Sequence, residues 1–259
     1  MPISVTLSLS YGVHHRQRVD VFVPDTAASA LLCCVGAGWW LDGRVEVQRG
    51  FALLLAERGI AVANLGHRPL GDGARHGGDI VDDLLLAVAK AQEEASVLGH
   101  GSPSVALLGH GSGSLSALLV AARLPKITPR AVIACSLVPG LEPGTGTAPA
   151  HQGDCDRFAG GHHRELSPLH LDPTKVPPLL TIHGDADMDV PVTLARAMHT
   201  RQVGADEVSS FDVIAGAGHA FAVDALGRPA REAADRITAF LAEHGKEPQA
   251  EDVFFGCKS

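Results

Sequence analysis

The chain has 259 residues, of which 46% are hydrophobic and 19% are charged, a composition typical of one α/β domain that buries a large core. The formal net charge of −8 argues against nucleic acid and against an anionic membrane surface as partners. No signal peptide is recognised, and no apolar run approaches the roughly 20 residues that span a bilayer. Together with an odd number of cysteines, five, these features predict a cytoplasmic protein without a disulfide framework.

The apolar pattern predicts strands and helices that alternate along the chain. Strands are predicted at 4–10, 18–23, 30–35, 60–65, 105–108, 131–138, 178–182 and 208–214, and helices at 45–58, 79–98, 115–124, 192–202 and 230–243. Such alternation is typical of a mostly parallel sheet with helices on both faces. We expect one domain over residues 1–245.

Two segments do not fit the alternation. Residues 139–177 lie between two predicted strands and are rich in proline, glycine and histidine, so we expect a short lid over the strand ends. The tail, residues 246–259, carries Val253-Phe254-Phe255 after a polar stretch. Either it frays, or its aromatic residues dock on the same chain or on a second copy in a homodimer.

A run of small residues joins the strand at 105–108 to the helix that follows it. The sequence there is Gly109-His110-Gly111-Ser112-Gly113, as a sharp strand-to-helix turn requires where two backbones approach closely. This stretch resembles the nucleophile elbow of α/β-hydrolases, G-x-S-x-G, with glycine in place of the serine.

Two registers of this turn are open. With Gly111 at the apex, the tight flanking positions fall on Gly109 and Gly113, and the nucleophile position at Gly111 is vacant. With Ser112 at the apex as the nucleophile, a histidine falls on a tight position and is expected to clash. We therefore favour the first register, in which Ser112 and Ser114 are explained by capping of the helix.

Four further motifs extend the resemblance in chain order. They are Tyr11-Gly12 with Gln17-Arg18-Val19-Asp20-Val21 and Pro24, then Val35-Gly36-Ala37-Gly38-Trp39, then His183-Gly184-Asp185-Ala186-Asp187 with Val190-Pro191, then Gly216-Ala217-Gly218-His219-Ala220-Phe221. Over about residues 10–245 the chain resembles the carboxylesterase and arylformamidase-like branch of the α/β-hydrolases. The resemblance implies an α/β-hydrolase fold in which Asp187 is the triad acid and His219 the triad histidine. No cofactor is expected.

The positions of Asp187 and His219 give these roles a physical basis. Each residue follows a predicted strand, so both belong to the carboxyl edge of the sheet, where open α/β sheets bind their ligands. A carboxylate bonded to one imidazole nitrogen fixes the tautomer and leaves the other nitrogen basic. Asp185 and Asp189 are rival acids, but the D-x-x-V-P spacing favours Asp187.

Backbone N–H groups near the turn are candidates for an oxyanion hole. Ser112 would supply one N–H, and Gly36 or Ala37 in the loop after the third strand would supply the other. Neither donor depends on a side chain. Trp39, as a pocket wall or packing residue, and His110 are the candidate substrate-binding side chains.

The predicted lid is rich in possible metal ligands. They are His151, His162, His163 and His170, with Asp154, Cys155 and Asp156 nearby. Their spacing matches no recognised ligand pattern, so we expect a polar, solvated lid and no metal site.

The sequence favours a hydrolase of small carboxylic esters or amides with an atypical or degenerate elbow. Either Ser112 is the nucleophile, or water held by His219 takes the place of the absent hydroxyl. One alternative is a non-hydrolytic lyase or cyclase in which His219 and Asp187 act as the base. Another is a catalytically inactive binding or assembly protein.

Overall fold

The computed structural model describes residues 1–26, 30–101, 104–124 and 128–244. The predicted tail at 246–259 therefore lies outside the described residues, and so does Cys257. None of the helices in the described ranges combines the length and the apolar character that a membrane crossing needs.

One eight-stranded sheet runs through the described part of the chain. Its strands are β1 (Ile3–Ser10), β2 (Arg18–Pro24), β3 (Leu31–Val35), β4 (Val62–Leu65), β5 (Val105–His110), β6 (Val132–Cys135), β7 (Leu179–Gly184) and β8 (Ser209–Ile214). They are ordered β1-β2-β4-β3-β5-β6-β7-β8. The β1–β2 and β2–β4 pairs are antiparallel, and all other neighbours are parallel. The prediction of a mostly parallel sheet is confirmed.

Five of the six α-helices in the described residues lie between these strands in the sequence, and the last one follows β8. They are α1 (Arg49–Ala56), α2 (Gly77–Val97), α3 (Ser112–Arg123), α4 (Gln152–Ala159), α5 (Val192–Gly204) and α6 (Arg228–His244). The helix predicted at 45–58 is divided into a 3₁₀ turn (Glu46–Gln48) and α1. The strand predicted at 131–138 ends earlier, because Ser136 has a positive φ of 51° that breaks the extended backbone.

Two hydrophobic layers enclose the sheet, one on each face. Successive residues of a strand point to opposite faces, so Leu107 joins the layer that contains α2 and α3, whereas Leu108 joins the layer that contains α1 and α6. Both leucines are fully buried. Burial of such a side chain stabilises the fold by about 1.5–3 kcal/mol, which explains why the central strands are almost wholly apolar.

The segment 139–177, the predicted lid, contacts the loops that follow β3 and β7: His151 stacks on Trp39, and the Ala148 N–H donates to the Asp189 carbonyl. It contains α4 and three short 3₁₀ turns (Pro149–His151, Pro168–His170 and Pro173–Lys175). Phe158 of α4 is fully buried and stacks on Trp40 with ring centroids 4.0 Å apart. A Cβ atom at Gly77 would overlap the Phe158 ring, so the lid helix lies directly against the start of α2.

Candidate active site

The turn between β5 and α3 has its apex at Gly111. This residue has φ 54° and ψ −125°, a conformation that glycine adopts far more readily than other residues. A Cβ atom at Gly109 would overlap the carbonyl oxygen of Gly113, and a Cβ atom at Gly113 would overlap that of Val35. Within this turn, glycine is therefore required two residues before and two residues after Gly111.

The space beside the apex is occupied by an imidazole ring. A Cβ atom built on Gly111 would lie 2.6 Å from His219 Nε2 and 3.4 Å from the Ala37 Cβ atom. A side chain at position 111 would consequently point straight at the imidazole nitrogen. The ring lies partly inside the volume that such a side chain would need.

The two serines after the apex have different surroundings. Ser112 is the first residue of α3, and its buried hydroxyl has no hydrogen-bond partner within the described ranges. The Ser114 hydroxyl donates to the Gly111 carbonyl at 2.5 Å and accepts from the Val138 N–H at 3.0 Å. Gly111 itself is the N-cap and makes no side-chain cap, so the expectation that the serines cap the helix is wrong. The Ser114 hydroxyl instead connects the turn by hydrogen bonds to the segment that follows β6.

The His219 ring is oriented by a carboxylate on the neighbouring loop. Nδ1 of His219 lies 2.9 Å from Oδ2 of Asp187, while Oδ1 of Asp187 accepts the N–H groups of Asp189 and Val190 at 3.0 and 2.9 Å. Nε2 of His183 lies 3.3 Å from Asp187 Oδ2 and donates to the Val190 carbonyl at 2.9 Å.

These contacts decide the charge of Asp187. Burial opposes ionisation, but hydrogen bonds from His183, His219 and the Val190 N–H hold the pKa of Asp187 well below its ordinary value. The ionised carboxylate keeps the proton of His219 on Nδ1. The Nε2 lone pair therefore faces Gly111, where it can accept a proton from a bound molecule.

Neither of the rival acids contacts His219. Asp185 accepts the Gly216 N–H at 2.6 Å and so braces the loop that carries the histidine. Asp189 lies 3.5 Å from His151 of the lid. Of these three carboxylates, Asp187 is the one within hydrogen-bond distance of the His219 ring.

The main-chain carbonyl of His219 accepts hydrogen bonds from His110 and Ser136. Nε2 of His110 donates to the His219 carbonyl at 2.7 Å, and the Ser136 hydroxyl donates to the same oxygen at 3.1 Å. Burial, reinforced by the nearby His219, lowers the pKa of His110 to about 4, so this imidazole is neutral at pH 7. The expected substrate-binding role does not fit His110, because its side chain is 1% exposed and supports the loop of His219 instead.

Two residues of this support were missed by the sequence interpretation. Ser136 lies just beyond the short strand β6, and its positive φ could not be read from an apolar run. His183 lies in the His183-Gly184-Asp185 motif, four residues before Asp187, so its proximity to the carboxylate was available as a signal.

The loop after β3 lies against the turn. The carbonyl oxygens of Val35 and Gly36 approach Gly113, and Ala37 is adjacent to Gly111. The first N–H groups of a helix have no intrahelical acceptor, so the N–H of Ser112 is available at this junction. The candidate oxyanion donors, in the loop after β3 and at the start of α3, therefore lie in neighbouring stretches of backbone.

The two tryptophans after this loop have separate environments. Trp40 is 2% exposed, donates from Nε1 to the Ser116 hydroxyl at 2.9 Å and packs under the lid. Trp39 is half-buried and lies parallel to the His219 ring, with centroids 6.1 Å apart and an interplanar angle of 8°. Trp39 therefore lies beside His219, as a residue of the predicted pocket wall would, whereas Trp40 belongs to the core.

The histidines of the lid do not gather around one point. His151 stacks on Trp39, His163 bonds to Asp156, and His170 bonds to Glu142. Among the described residues, the group whose donor atoms lie within 4.8 Å of one another is His14, His15 and Asp72, in loops away from the turn.

The hydrogen bonding of this last group does not favour a metal ion. Nδ1 of His14 accepts the Arg16 N–H at 3.2 Å, so the ring proton of a neutral His14 sits on Nε2, the atom 3.4 Å from Asp72 Oδ1. A metal bound to Nε2 would have to reverse that tautomer and break the contact with Arg16.

No protein-family model matches the chain, and no curated protein does either. Among solved structures, the chain is similar to esterase B from Lactobacillus rhamnosis, with a TM-score of 0.78 and 16% identity over 93% of this chain and 86% of that one. It is also similar to a truncated carbohydrate esterase from gut microbiota, with a TM-score of 0.76 and 17% identity over 93% and 96% of the two chains.

A third example is esterase LipW from Mycobacterium marinum, with a TM-score of 0.76 and 15% identity over 94% of this chain and 82% of that one. The chain has the α/β-hydrolase fold. At these identities the likeness establishes the fold alone, and the activity has to be argued from the site.

Proposed function

We propose that the protein is a hydrolase of small carboxylic esters or amides in which His219 and Asp187 activate water instead of a serine. The observation that carries this proposal is the position of His219 Nε2 beside the apex of the turn, 2.6 Å from where a Cβ atom of residue 111 would lie. The imidazole is polarised by an ionised carboxylate at 2.9 Å and faces a glycine that has no hydroxyl to offer.

The reaction is a direct hydrolysis with no acyl-enzyme. His219 Nε2 accepts a proton from water as the water oxygen bonds to the carbonyl carbon, and the carbonyl oxygen becomes an oxyanion. Backbone N–H groups of Ser112 and of Gly36 or Ala37 stabilise that oxyanion. The imidazolium then returns the proton to the departing alcohol oxygen or amine nitrogen, which leaves a carboxylic acid as the second product.

The expected rate is modest. A serine hydrolase site that has lost a triad residue still exceeds the uncatalysed rate by about 10³–10⁴, through its oxyanion hole and substrate binding. Substrates with good leaving groups are therefore favoured. Similarity to esterases supports an ester substrate, and esterase B of Lactobacillus rhamnosis is known in a structure inhibited by a tributyrin phosphonate.

A second candidate is a catalytically inactive binding protein. The observation in its favour is the short distance of 2.6 Å between His219 Nε2 and the Cβ position of Gly111, since an imidazole so close to the apex leaves little room for water between them. The same backbone donors would then hold a carboxylate or another small anion without turnover.

Hydrolysis of p-nitrophenyl acetate, together with labelling by a fluorophosphonate, tests the proposal. We expect slow turnover and no covalent adduct. The variants His219→Gln and Asp187→Asn should lose the turnover, and Ser112→Ala should keep it. A fluorophosphonate adduct on Ser112 would overturn the water mechanism in favour of a serine hydrolase. If His219→Gln and the wild type have equal turnover, His219 is not the catalytic base, and the second candidate, an inactive binding protein, is favoured.

A further inference from the structure

The lid reaches the candidate active site through one aromatic contact. The imidazole of His151 stacks on the Trp39 indole, with centroids 4.1 Å apart and an interplanar angle of 11°. Trp39 is also the residue that lies parallel to His219. The lid histidine and the base are therefore connected through a single indole ring.

The loop after β7 that carries Asp187, called the acid loop here, contacts both His219 and His151. Asp187 bonds to His219, and two residues later Asp189 lies 3.5 Å from Nε2 of His151. The Asp189 carbonyl also accepts the Ala148 N–H at 2.8 Å and the Thr147 hydroxyl at 3.0 Å. These bonds tie the backbone of the lid firmly to the acid loop just before the 3₁₀ turn that ends at His151.

The side chain of His151 is held much more loosely than this backbone. Its contact with Asp189 exceeds ordinary hydrogen-bond length, and the two side chains are 25% and 45% exposed. An exposed side-chain contact of this length contributes little, so the stack on Trp39 is the main restraint on the imidazole. The ring can leave Trp39 without unfolding the lid.

Trp39 itself is held in an uncommon conformation. Its φ of 52° lies in the left-handed region, and Trp40 follows with φ 63°. A bulky residue in this region is strained and persists only where its surroundings determine it. Trp40 is anchored by Ser116 and Phe158, and this anchor fixes the direction in which Trp39 projects.

We propose that His151 is a specificity-determining residue of this site, because it covers one face of the Trp39 indole and so limits the size of the acyl group that reaches His219. With His151 on the indole, short acyl chains fit beside the base. When the imidazole leaves, the uncovered indole face offers apolar surface to a longer chain. The size limit rests on the proposed function, whereas the covering of Trp39 can be measured without any substrate.

Acrylamide quenching of tryptophan fluorescence measures the covering. The chain has two tryptophans, and Trp40 is 2% exposed, so the quencher reports on Trp39. We expect His151→Ala to raise the quenching constant roughly twofold, since one indole face becomes open. His151→Phe, which keeps a flat ring on the indole, should behave as wild type. His162→Ala is the matched control, because it removes an exposed histidine elsewhere in the lid.

The substrate arm compares p-nitrophenyl octanoate with p-nitrophenyl acetate. The ratio of their kcat/KM values should rise roughly tenfold in His151→Ala, as expected from burial of about two more methylene groups, and should stay unchanged in His162→Ala. A quenching constant equal in wild type and His151→Ala overturns the proposal, and so does an unchanged ratio in an active enzyme. If no ester is hydrolysed but the quenching changes as expected, the covering of Trp39 stands and the proposed activity fails.

Discussion

Installing the absent hydroxyl with Gly111→Ser is the most direct perturbation of this site. The backbone at φ 54° already has the shape of the turn, but a non-glycine residue there is strained by about 1–3 kcal/mol. The new Cβ atom also requires His219 Nε2 to retreat by about 0.8 Å, from 2.6 Å to an ordinary contact of 3.4 Å. Because Nε2 is the far end of a side chain, a small rotation of the ring supplies that distance.

The expected gain in turnover follows from the contribution that a serine nucleophile makes to kcat. In a serine protease, removal of the serine lowers kcat by about 10⁶, and the rest of the site retains about 10³–10⁴ over water. An imperfectly placed serine should recover part of this, so we expect p-nitrophenyl acetate turnover to rise by at least roughly 10²-fold. The mechanism should change as well, to an acyl-enzyme with a pre-steady-state burst and a fluorophosphonate adduct on the introduced serine.

Gly111→Ala is the matched control, since it adds the same Cβ atom and the same backbone strain without the hydroxyl. It should be destabilised like Gly111→Ser in urea unfolding and should show no burst and no adduct. If both variants fold and have the same turnover without labelling, His219 is not positioned to activate a residue at the apex. The assignment of Gly111 to the nucleophile position would then be wrong.

Three further predictions test the acid, the turn and the support of the base. Asp187→Asn should lower ester turnover by up to about 10⁴, because an amide does not hold the required imidazole tautomer, and circular dichroism should show an intact fold. Gly113→Ala should lower the free energy of unfolding in urea by about 1–3 kcal/mol, because its Cβ atom overlaps the Val35 carbonyl. Gly101→Ala should be neutral, because a Cβ atom there meets no atom of the described residues within 4 Å. The pKa of His110 is lowered from 6.5 to about 4, so the unfolded chain binds the proton first and stability should fall as the pH drops from 6.5 to about 4. His110→Gln should make this fall less steep without abolishing it, because burial also lowers the pKa values of His67, His100 and His199.

The fold could be predicted because local patterns decide it. The buried strands are continuous apolar runs, and the helices follow them at the spacing that parallel crossovers need. The favoured register of the turn also followed from local chemistry, since a clash argument excludes a histidine from a tight position, and Gly109 and Gly113 lie where the structure admits no Cβ atom.

The support of the site could not be predicted in the same way, because it depends on contacts between distant segments. His110 looks like a substrate residue in the sequence, yet strand alternation and the loop after β8 bury it under the His219 carbonyl. The stack of His151 on Trp39 joins residues 112 positions apart through a lid whose course has no periodic signal. Such contacts become visible only when the loops are placed in space.

The distribution of polar groups around Gly111 explains why the fold tolerates a glycine there. The candidate acid follows β7, the candidate base follows β8, and the candidate backbone donors belong to the loop after β3 and the start of α3. None of these groups needs a side chain at position 111 for its own position, since Asp187 and Ser136 hold His219 from other elements. In the mechanism that we propose, this arrangement supplies a preorganised base and backbone donors, and water supplies the nucleophilic oxygen.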